Sequence, residues 1–350
     1  MSKLEAIGVK PDSCSWFRSY LSNREQCVEV NGKRSDFMLV TCGVPQGSIL
    51  GPLLFLLYIN DLNVSIDCGL SLYADDSALV YSHKDPLHIS AHLSTQLANC
   101  KHWLIDNRLF LHVGKTEAIL YGSAKRIKRV NGFEVTCEGS PVKEVTNVKY
   151  LGIYLNNTMN GRSHAEGLIK KCAGRISFLY RNSHLMDFGT RKILCSALVQ
   201  PYIDYCSSSW YSSVTQGIKC KLDVLQRKMV RFVFKLGNMA HVGLPELKQL
   251  SWFSIPDRVK YFKLGHVFKI KNRTAPSYLL DEFVLISDAH SHRTRGSTSD
   301  GFSISRCDGT LSSFSYTAIQ AWNSLPLQLR TIKSESVFKR QLKDHILLQY

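Results

Sequence analysis

The eleven cysteines of this chain never stand two residues apart, so no CxxC pair marks a structural zinc site. Their odd number and scattered positions suit a reduced, intracellular protein. Long apolar runs are lacking as well. The longest, Leu53 to Ile59, falls far short of the ~20 residues that span a bilayer. The opening Met1-Ser-Lys-Leu-Glu-Ala-Ile has no signal-peptide core. Internal repeats and low-complexity tracts are absent too. Acidic residues are few: 28 Asp+Glu stand against 44 Lys+Arg, a net charge of +16. That excess is one-sided, because residues 1–160 hold 16 basic against 15 acidic side chains, leaving 28 against 13 for residues 161–350. A near-neutral half followed by a basic half suggests that the second half meets a polyanion, or else carries a solvated basic surface. With 350 residues, two domains or one large one can bury a sizeable core.

The most structured signal is Gly43 to Leu62, GVPQGSILGPLLFLLYINDL. A loop punctuated by Gly43, Pro45 and Gly47 gives way to an apolar helix. Ser48 is placed to cap it, since its hydroxyl can accept from a free amide of the first turn. Pro52 is tolerated there because the first four helical N–H groups have no intrahelical partner. Leu53, Leu54, Phe55, Leu56 and Leu57 surround the helix rather than striping it, which predicts burial on most sides. Gln46 and two amides are then aimed outward, at an anion or a base edge. Just downstream, two short strands, Leu70–Tyr73 and Ala78–Tyr81, flank Asp75-Asp76. Adjacent carboxylates on a tight hairpin repel unless a proton or cation intervenes. Mg²⁺ takes oxygen ligands from one or two carboxylates plus substrate phosphates. Taken singly, an Asp-Asp turn and a capped apolar helix are ordinary structural features.

Ahead of this core, Lys3–Val9 reads as a helix end stopped by Gly8, and Ser15–Leu21 as a short amphipathic piece. Gln26–Val30 alternates as a strand, turns at Asn31-Gly32 and returns over Phe37–Cys42. After it, Ile89–Asn107 is helical, with Leu93, Leu97, Cys100 and Leu104 in one stripe. Lys125–Arg129 is a basic run before Asn131-Gly132, either a solvated hairpin or an RNA or nuclear-import patch. From Arg162 the pattern is helical and basic. Leu168, Cys172, Ile176 and Leu179 make one stripe beside Lys171 and Arg175. Leu222, Leu225, Met229, Phe232 and Val233 make another, with Arg227, Arg231 and Lys235 in a separate file that could follow a phosphate backbone. A linker-like stretch spans 287–301, where His290 and His292 beside Arg293 suggest a flexible loop or a metal or phosphate contact. Ala321–Pro326, AWNSLP, precedes a terminal amphipathic helix over Val337–Leu348.

The wording PQGSILGPLLFLLYINDL followed by YADD (Tyr73–Asp76) resembles the palm of reverse transcriptases from non-LTR, LINE-type, jockey-like retrotransposons. The resemblance runs from the lead-in helix to the tail and is most specific at 43–62 and 73–80. It implies an α+β fold: a palm over 1–157, a helical basic thumb over 158–286, and a linker with helical extension over 287–350. It implies RNA-directed DNA synthesis on an RNA template and DNA primer with deoxynucleoside triphosphates, in a nuclear and cytoplasmic ribonucleoprotein. Asp75 and Asp76 would hold Mg²⁺, or Mn²⁺. Pro45, Gln46, Gly47 and Ser48 would border the incoming nucleotide and Tyr73 the primer end. Lys115 matches the family's fourth palm motif, near the triphosphate. Val148–Leu155 resembles the primer grip at Tyr150, Leu151 and Gly152, where Gly152 permits close approach by a strand or nucleic acid. The thumb position assigns Lys171, Arg175, Arg227, Arg231 and Lys235 to the template–primer. The family's first metal-binding aspartate lies on a strand ahead of the helix that Lys3–Gly8 finishes. The expectation is therefore a polymerase segment without fingers, that aspartate or an endonuclease, working with upstream segments of its parent element and impaired alone. Asp12 and Asp36, the nearest acidic residues, follow no apolar strand. The alternative is a non-catalytic, co-opted nucleic-acid binder. A group II intron maturase shares the palm but is not expected to carry the AWNSLP tail.

Overall fold

A computed structural model of the chain describes residues 1–289, 300–304 and 313–350. These form two compact units, residues 1–120 with 125–145, and residues 121–124 with 146–350.

The first unit opens with helices α1 (Ser2–Ala6) and α2 (Pro11–Leu21), then two nested antiparallel pairs. Strand β1 (Arg24–Gln26) pairs with β4 (Met38–Val40), and β2 (Glu29–Val30) with β3 (Lys33–Arg34). Asn31 (φ 51°) and Gly32 (φ 76°) form the tip, the left-handed pair a two-residue hairpin needs. The single strand expected over 26–30 is broken after Gln26. There Ser35 takes over the pairing, its hydroxyl accepting from the Val28 N–H at 3.0 Å and its own N–H donating to the Val28 carbonyl at 2.9 Å.

Next come α3 (Leu50–Ile59), a 3₁₀ turn over Asn60–Ser65, and the hairpin β5 (Gly69–Tyr73) and β6 (Asp76–Val80). Helix α4 (Pro86–Asp106) starts where the Asp85 carboxylate accepts from the Leu87 N–H at 3.0 Å, with Pro86 in its first turn. Leu70, Leu72 and Leu79 of the hairpin pack with Ile59, Leu62, Cys100 and Trp103. Leu93 and Leu97 of α4 face a second small cluster with Val135 and Cys137. The remaining elements are β7 (Glu117–Ala118), α5 (Ala124–Ile127), β8 (Thr136–Cys137), β9 (Ser140–Pro141) and β10 (Lys143–Glu144). Strands β7 and β10 pair in parallel, and every sheet among the described residues has two strands.

Two expectations need correction here. The basic run at 125–129 begins in a helical turn, and the nearby hairpin is β8–β9, turned at Glu138 (φ 49°) and Gly139 (φ 80°). Helix α3 is not buried on most sides. Leu54 and Ile59 are buried, but Leu53 and Leu56 are about half exposed, at 50% and 49%, and Ile49 just ahead is 95% exposed. Positions 49, 53 and 56 share one helical face, which is left largely open.

The second unit starts with the hairpin β11 (Asn147–Tyr150) and β12 (Ile153–Asn156), then becomes helical. Its first helices are α6 (Arg162–Arg181), α7 (Phe188–Leu198), α8 (Gln200–Asp204), α9 (Ser207–Trp210), α10 (Gln216–Phe234) and α11 (Leu244–Gln249). Then follow α12 (Ile255–Lys271), α13 (Ile286–Ala289), α14 (Phe314–Asn323), α15 (Leu327–Arg330) and α16 (Glu335–Leu347). The two apolar stripes read from the sequence, Leu168 to Leu179 and Leu222 to Val233, meet in one core. A second core joins α12, α14 and α16 around Phe268, Trp322 and Phe338, with Phe268 and Phe338 stacked at 4.6 Å. Lys263 of α12 is 5% exposed, and its ammonium donates to the Ser212 hydroxyl at 2.5 Å and the Thr317 hydroxyl at 2.6 Å. Burial, helped by the Lys219 charge, pushes its pKa down from 10.5 to about 8.

The AWNSLP segment acquires a structural account. The Trp322 indole is fully buried and donates to the Asp300 carbonyl at 2.9 Å. The Asn323 amide accepts from the Phe302 N–H at 3.0 Å and donates to its carbonyl at 2.8 Å, copying a strand neighbour. Leu325 is buried and Pro326 leads into α15. In α16, Phe338, Leu342 and Ile346 form the predicted buried side. His290, His292 and Arg293, with most of the linker expected over 287–301, lie outside the described residues. No described helix is long and apolar enough to cross a membrane. The fold is α+β.

Candidate active site

The loop before α3 is tied at both ends. At its start, the Arg24 guanidinium donates to the Gly43 carbonyl at 2.6 Å and to the Leu21 carbonyl at 2.9 Å. At its end, the Ser48 hydroxyl donates to the Pro45 carbonyl at 2.8 Å and accepts from the Gly51 N–H at 3.0 Å. The helix proper starts at Leu50, so Ser48 lies one residue outside the formal cap while doing its work. Gly43 (φ 76°) and Gly47 (φ 79°) supply the left-handed turns. Gln46 and Gly47 are left exposed between the two ties. Sequence reasoning missed Arg24 and Gly51. A Cβ on Gly51 would stand 3.0 Å from the Ser48 hydroxyl and 3.2 Å from the Pro45 carbonyl, so any larger residue would push the loop a few tenths of an ångström off the helix. A glycine in the first turn of an otherwise apolar helix was the available signal.

The hairpin places its carboxylates at a turn. Tyr73 pairs directly with Asp76, leaving Ala74 and Asp75 as the turn residues. Ala74 has φ 52°, a left-handed conformation that costs a residue with a Cβ about 1 kcal/mol or more. Alternation puts Leu70, Leu72 and Leu79 on the core face, and Tyr73 and Asp76 on the open face. Tyr73, Asp75 and Asp76 are all exposed. Neither carboxylate has an ion-pair or hydrogen-bond partner among the described residues, so two negative charges sit side by side without compensation. An oxygen donor pair of this kind fits a hard divalent cation. It is not a complete ligand set, since the described residues hold no group of three His, Cys, Asp or Glu able to bind a metal.

Lys115 belongs to the same unit. It closes a 3₁₀ turn, Val113–Lys115, rather than lying on a strand edge, and its ammonium is exposed.

The other predicted residues belong to the second unit. Leu151 (φ 45°) and Gly152 (φ 82°) form the β11–β12 turn, with Tyr150 as its last strand residue. The close approach that Gly152 permits is made by Tyr205. Its hydroxyl donates to the Leu151 carbonyl at 2.6 Å, and its ring would stand 3.3 Å from an added Cβ. Arg175 lies over the Tyr202 ring at 4.4 Å and donates to the Leu198 carbonyl and the Tyr202 hydroxyl, at 3.2 and 2.6 Å. Arg231 donates to the Ala240 carbonyl at 2.8 Å, which holds the loop after α10. Lys171, Arg227 and Lys235 are exposed. The charge file thus separates into two guanidiniums engaged inside the unit and three cations facing solvent.

These features can be set beside known proteins. Residues 1–155 match the family described as reverse transcriptase (RNA-dependent DNA polymerase). The chain is 25% identical over 234 residues to the RNA-directed DNA polymerase from mobile element jockey of Drosophila funebris, covering 64% of this chain and 25% of that protein. It is 26% identical over 231 residues to the probable RNA-directed DNA polymerase from transposon BS of Drosophila melanogaster, covering 62% and 25%. To the Pol polyprotein of a type-1 retrotransposable element R1 of Nasonia vitripennis it is 26% identical over 240 residues, covering 65% and 57%. The chain spans about a quarter of the length of the jockey and BS relatives. The reverse transcriptase family is divalent-metal dependent and handles a nucleic-acid template–primer with nucleotide substrates. With the capped glycine loop and the two-aspartate turn both inside the matched segment, residues 1–155 are a reverse transcriptase segment, similar to those of jockey and other mobile elements.

Proposed function

We propose that this chain supplies part of an RNA-directed DNA polymerase, in which Asp75 and Asp76 form the exposed half of the metal site. The observation that supports this reading is the uncompensated pair of carboxylates on a turn, in the same unit as the doubly tied loop at Gly43–Ser48. Asp75 and Asp76 would hold Mg²⁺, with Mn²⁺ as substitute. Such a cation supplies Lewis-acid activation and charge neutralisation for phosphoryl transfer. Gln46 and Gly47 border the base and sugar of the incoming nucleotide, and Tyr73 supports the primer end. The primer 3′-hydroxyl gives its proton to solvent water and attacks the α-phosphorus as the bond to pyrophosphate breaks. Lys115 neutralises the departing charge or gives it a proton. Tyr150, Leu151 and Gly152 contact the primer strand through a hairpin that Tyr205 braces from within. Lys171, Arg227 and Lys235 meet the phosphate backbone, whereas Arg175 and Arg231 contribute by holding their own helices. The nucleic acid is an RNA template with a DNA primer, in a ribonucleoprotein that includes other segments of the parent element.

Primer extension on an RNA template, with Mg²⁺ and then Mn²⁺, by this chain joined to the upstream palm strand of its parent element tests this. Asp75→Asn should reduce extension to background while leaving template–primer binding intact. Continued extension by a pure Asp75→Asn preparation would overturn the assignment. A second reading, a nucleic-acid binder without catalysis, draws on the incomplete ligand set among the described residues. It predicts template–primer binding with no extension even by the chain joined to that upstream strand with Asp75 intact, under either metal.

A further inference from the structure

The ammonium of Lys3, in α1, sits in a cage built by other elements of the same unit. It donates to the Tyr58 carbonyl and to the Asp61 carboxylate, each at 2.7 Å. Two ring faces close round it, with the Tyr58 centroid at 4.6 Å and the Trp103 centroid at 4.5 Å. Two oxygens and two π faces converging on one point suit a compact ammonium better than a planar guanidinium, whose donors spread in a fork. The two ring walls are fixed without help from Lys3. The Tyr58 hydroxyl donates to the Asn107 carbonyl at 2.6 Å, which sets the ring. Trp103 is buried among Ile59, Leu62 and Cys100. Asp61 lies in the 3₁₀ turn that continues α3. The Lys3 side chain keeps 26% of its surface in solvent, so the cage is open to a ligand from outside.

We propose that Tyr58, Asp61 and Trp103 form a binding site for a primary alkylammonium group, which this chain fills with its own Lys3. The site requires positive charge for the rings and the carboxylate, and N–H donors for the two oxygens. Lys3 thereby latches α1 to the C-terminal end of α3, the helix whose other end carries the Ser48 loop. None of this depends on polymerase activity.

The test uses the full chain and n-propylammonium chloride. Lys3→Ala removes three carbons and the nitrogen, and n-propylammonium restores those same atoms. Amide exchange over residues 4–9, whose N–H groups bond within α1 and its exit turn, should quicken about tenfold in Lys3→Ala. Added n-propylammonium should slow it again along a saturation curve. Sodium chloride at equal ionic strength should not, nor should tetramethylammonium, which has no N–H. Asp61→Asn combined with Lys3→Ala should abolish the recovery. Where α1 stays open in Lys3→Ala, the Trp103 indole resonance should still shift saturably with n-propylammonium, because the ring walls stand independently. Absence of any saturable response at both readouts, or an equal response to sodium chloride or in the double variant, would overturn the site.

Discussion

Replacing Lys263 by methionine, which keeps length and removes charge, isolates the cost of a buried ammonium. The folded chain holds this group at about 8, against 10.5 for an ordinary lysine. Each unit of depression corresponds to 1.36 kcal/mol, so at neutral pH the buried charge costs folding about 3 kcal/mol. The two hydrogen bonds to Ser212 and Thr317 return about 1 kcal/mol each. Below pH 8 lysine is protonated in both states and the full cost is present. As pH rises from 8 towards 10.5 the folded state gives up its proton while the unfolded state keeps it, so the wild-type chain recovers about 3 kcal/mol relative to any variant lacking this titration. Methionine cannot titrate and lacks the hydrogen bonds at every pH. Lys263→Met should therefore be about 1 kcal/mol more stable than wild type at pH 7 and about 2 kcal/mol less stable above pH 10.5. Burial also raises the Cys172 thiol to about 11 and the Cys195 thiol and Tyr350 hydroxyl to about 12. Those groups weaken both proteins in alkali, so the quantity to follow is the difference between them. Urea unfolding by far-UV circular dichroism, from pH 7 to 11 for both proteins, measures it. A difference that stays constant within about 0.5 kcal/mol across that range would refute the reasoning.

Further predictions follow from single contacts. Gly51→Ala gains about 1 kcal/mol of helix propensity but drives a Cβ against Pro45 and Ser48 at a cost of about 2, for a net loss of about 1 kcal/mol. It should also weaken nucleotide binding, measured by titration of a fluorescent deoxynucleoside triphosphate. Asn323→Ala leaves the Phe302 N–H and carbonyl unpaired and should cost about 2–3 kcal/mol in urea unfolding, with no change in the salt dependence of nucleic-acid binding. Changing Lys171, Arg227 and Lys235 together to glutamine should flatten the slope of log affinity against log salt by about 2–3, in filter binding to an RNA–DNA hybrid. Arg231→Gln should leave that slope unchanged and lower stability instead, because its guanidinium is held by the Ala240 carbonyl.

Much of the fold is readable where local chemistry and burial agree. Asn31-Gly32 and Gly152 turn where their tolerance of left-handed backbone places them, and Leu151 is carried into that region (φ 45°) beside Gly152. The stripes at Leu168–Leu179 and Leu222–Val233 find each other because both helices have one apolar side to hide. Short-range pattern misleads where the partner lies elsewhere. The helix Leu50–Ile59 is apolar all round, so periodicity cannot say which side is covered, and the face of Leu53 and Leu56 is left open. Arg227, Arg231 and Lys235 recur at equal spacing and look alike in sequence. A carbonyl nine residues downstream, at Ala240, sets Arg231 apart from the others.

The candidate site divides along the same line. Sequence alone determined which residue types are available: two adjacent carboxylates between strands, a glycine loop before an apolar helix, and a wording specific enough to carry the family. These depend on covalent order and on local conformational preference, which neighbours along the chain already fix. Tertiary structure decided what each group has left to offer. It left Asp75 and Asp76 without partners among the described residues and tied the loop through Arg24. It placed Tyr205 against Gly152 and enclosed the Lys3 ammonium between Tyr58, Asp61 and Trp103. The availability of a charge or a donor depends on distances of 3–5 Å to residues tens of positions away, and only the folded chain sets those distances.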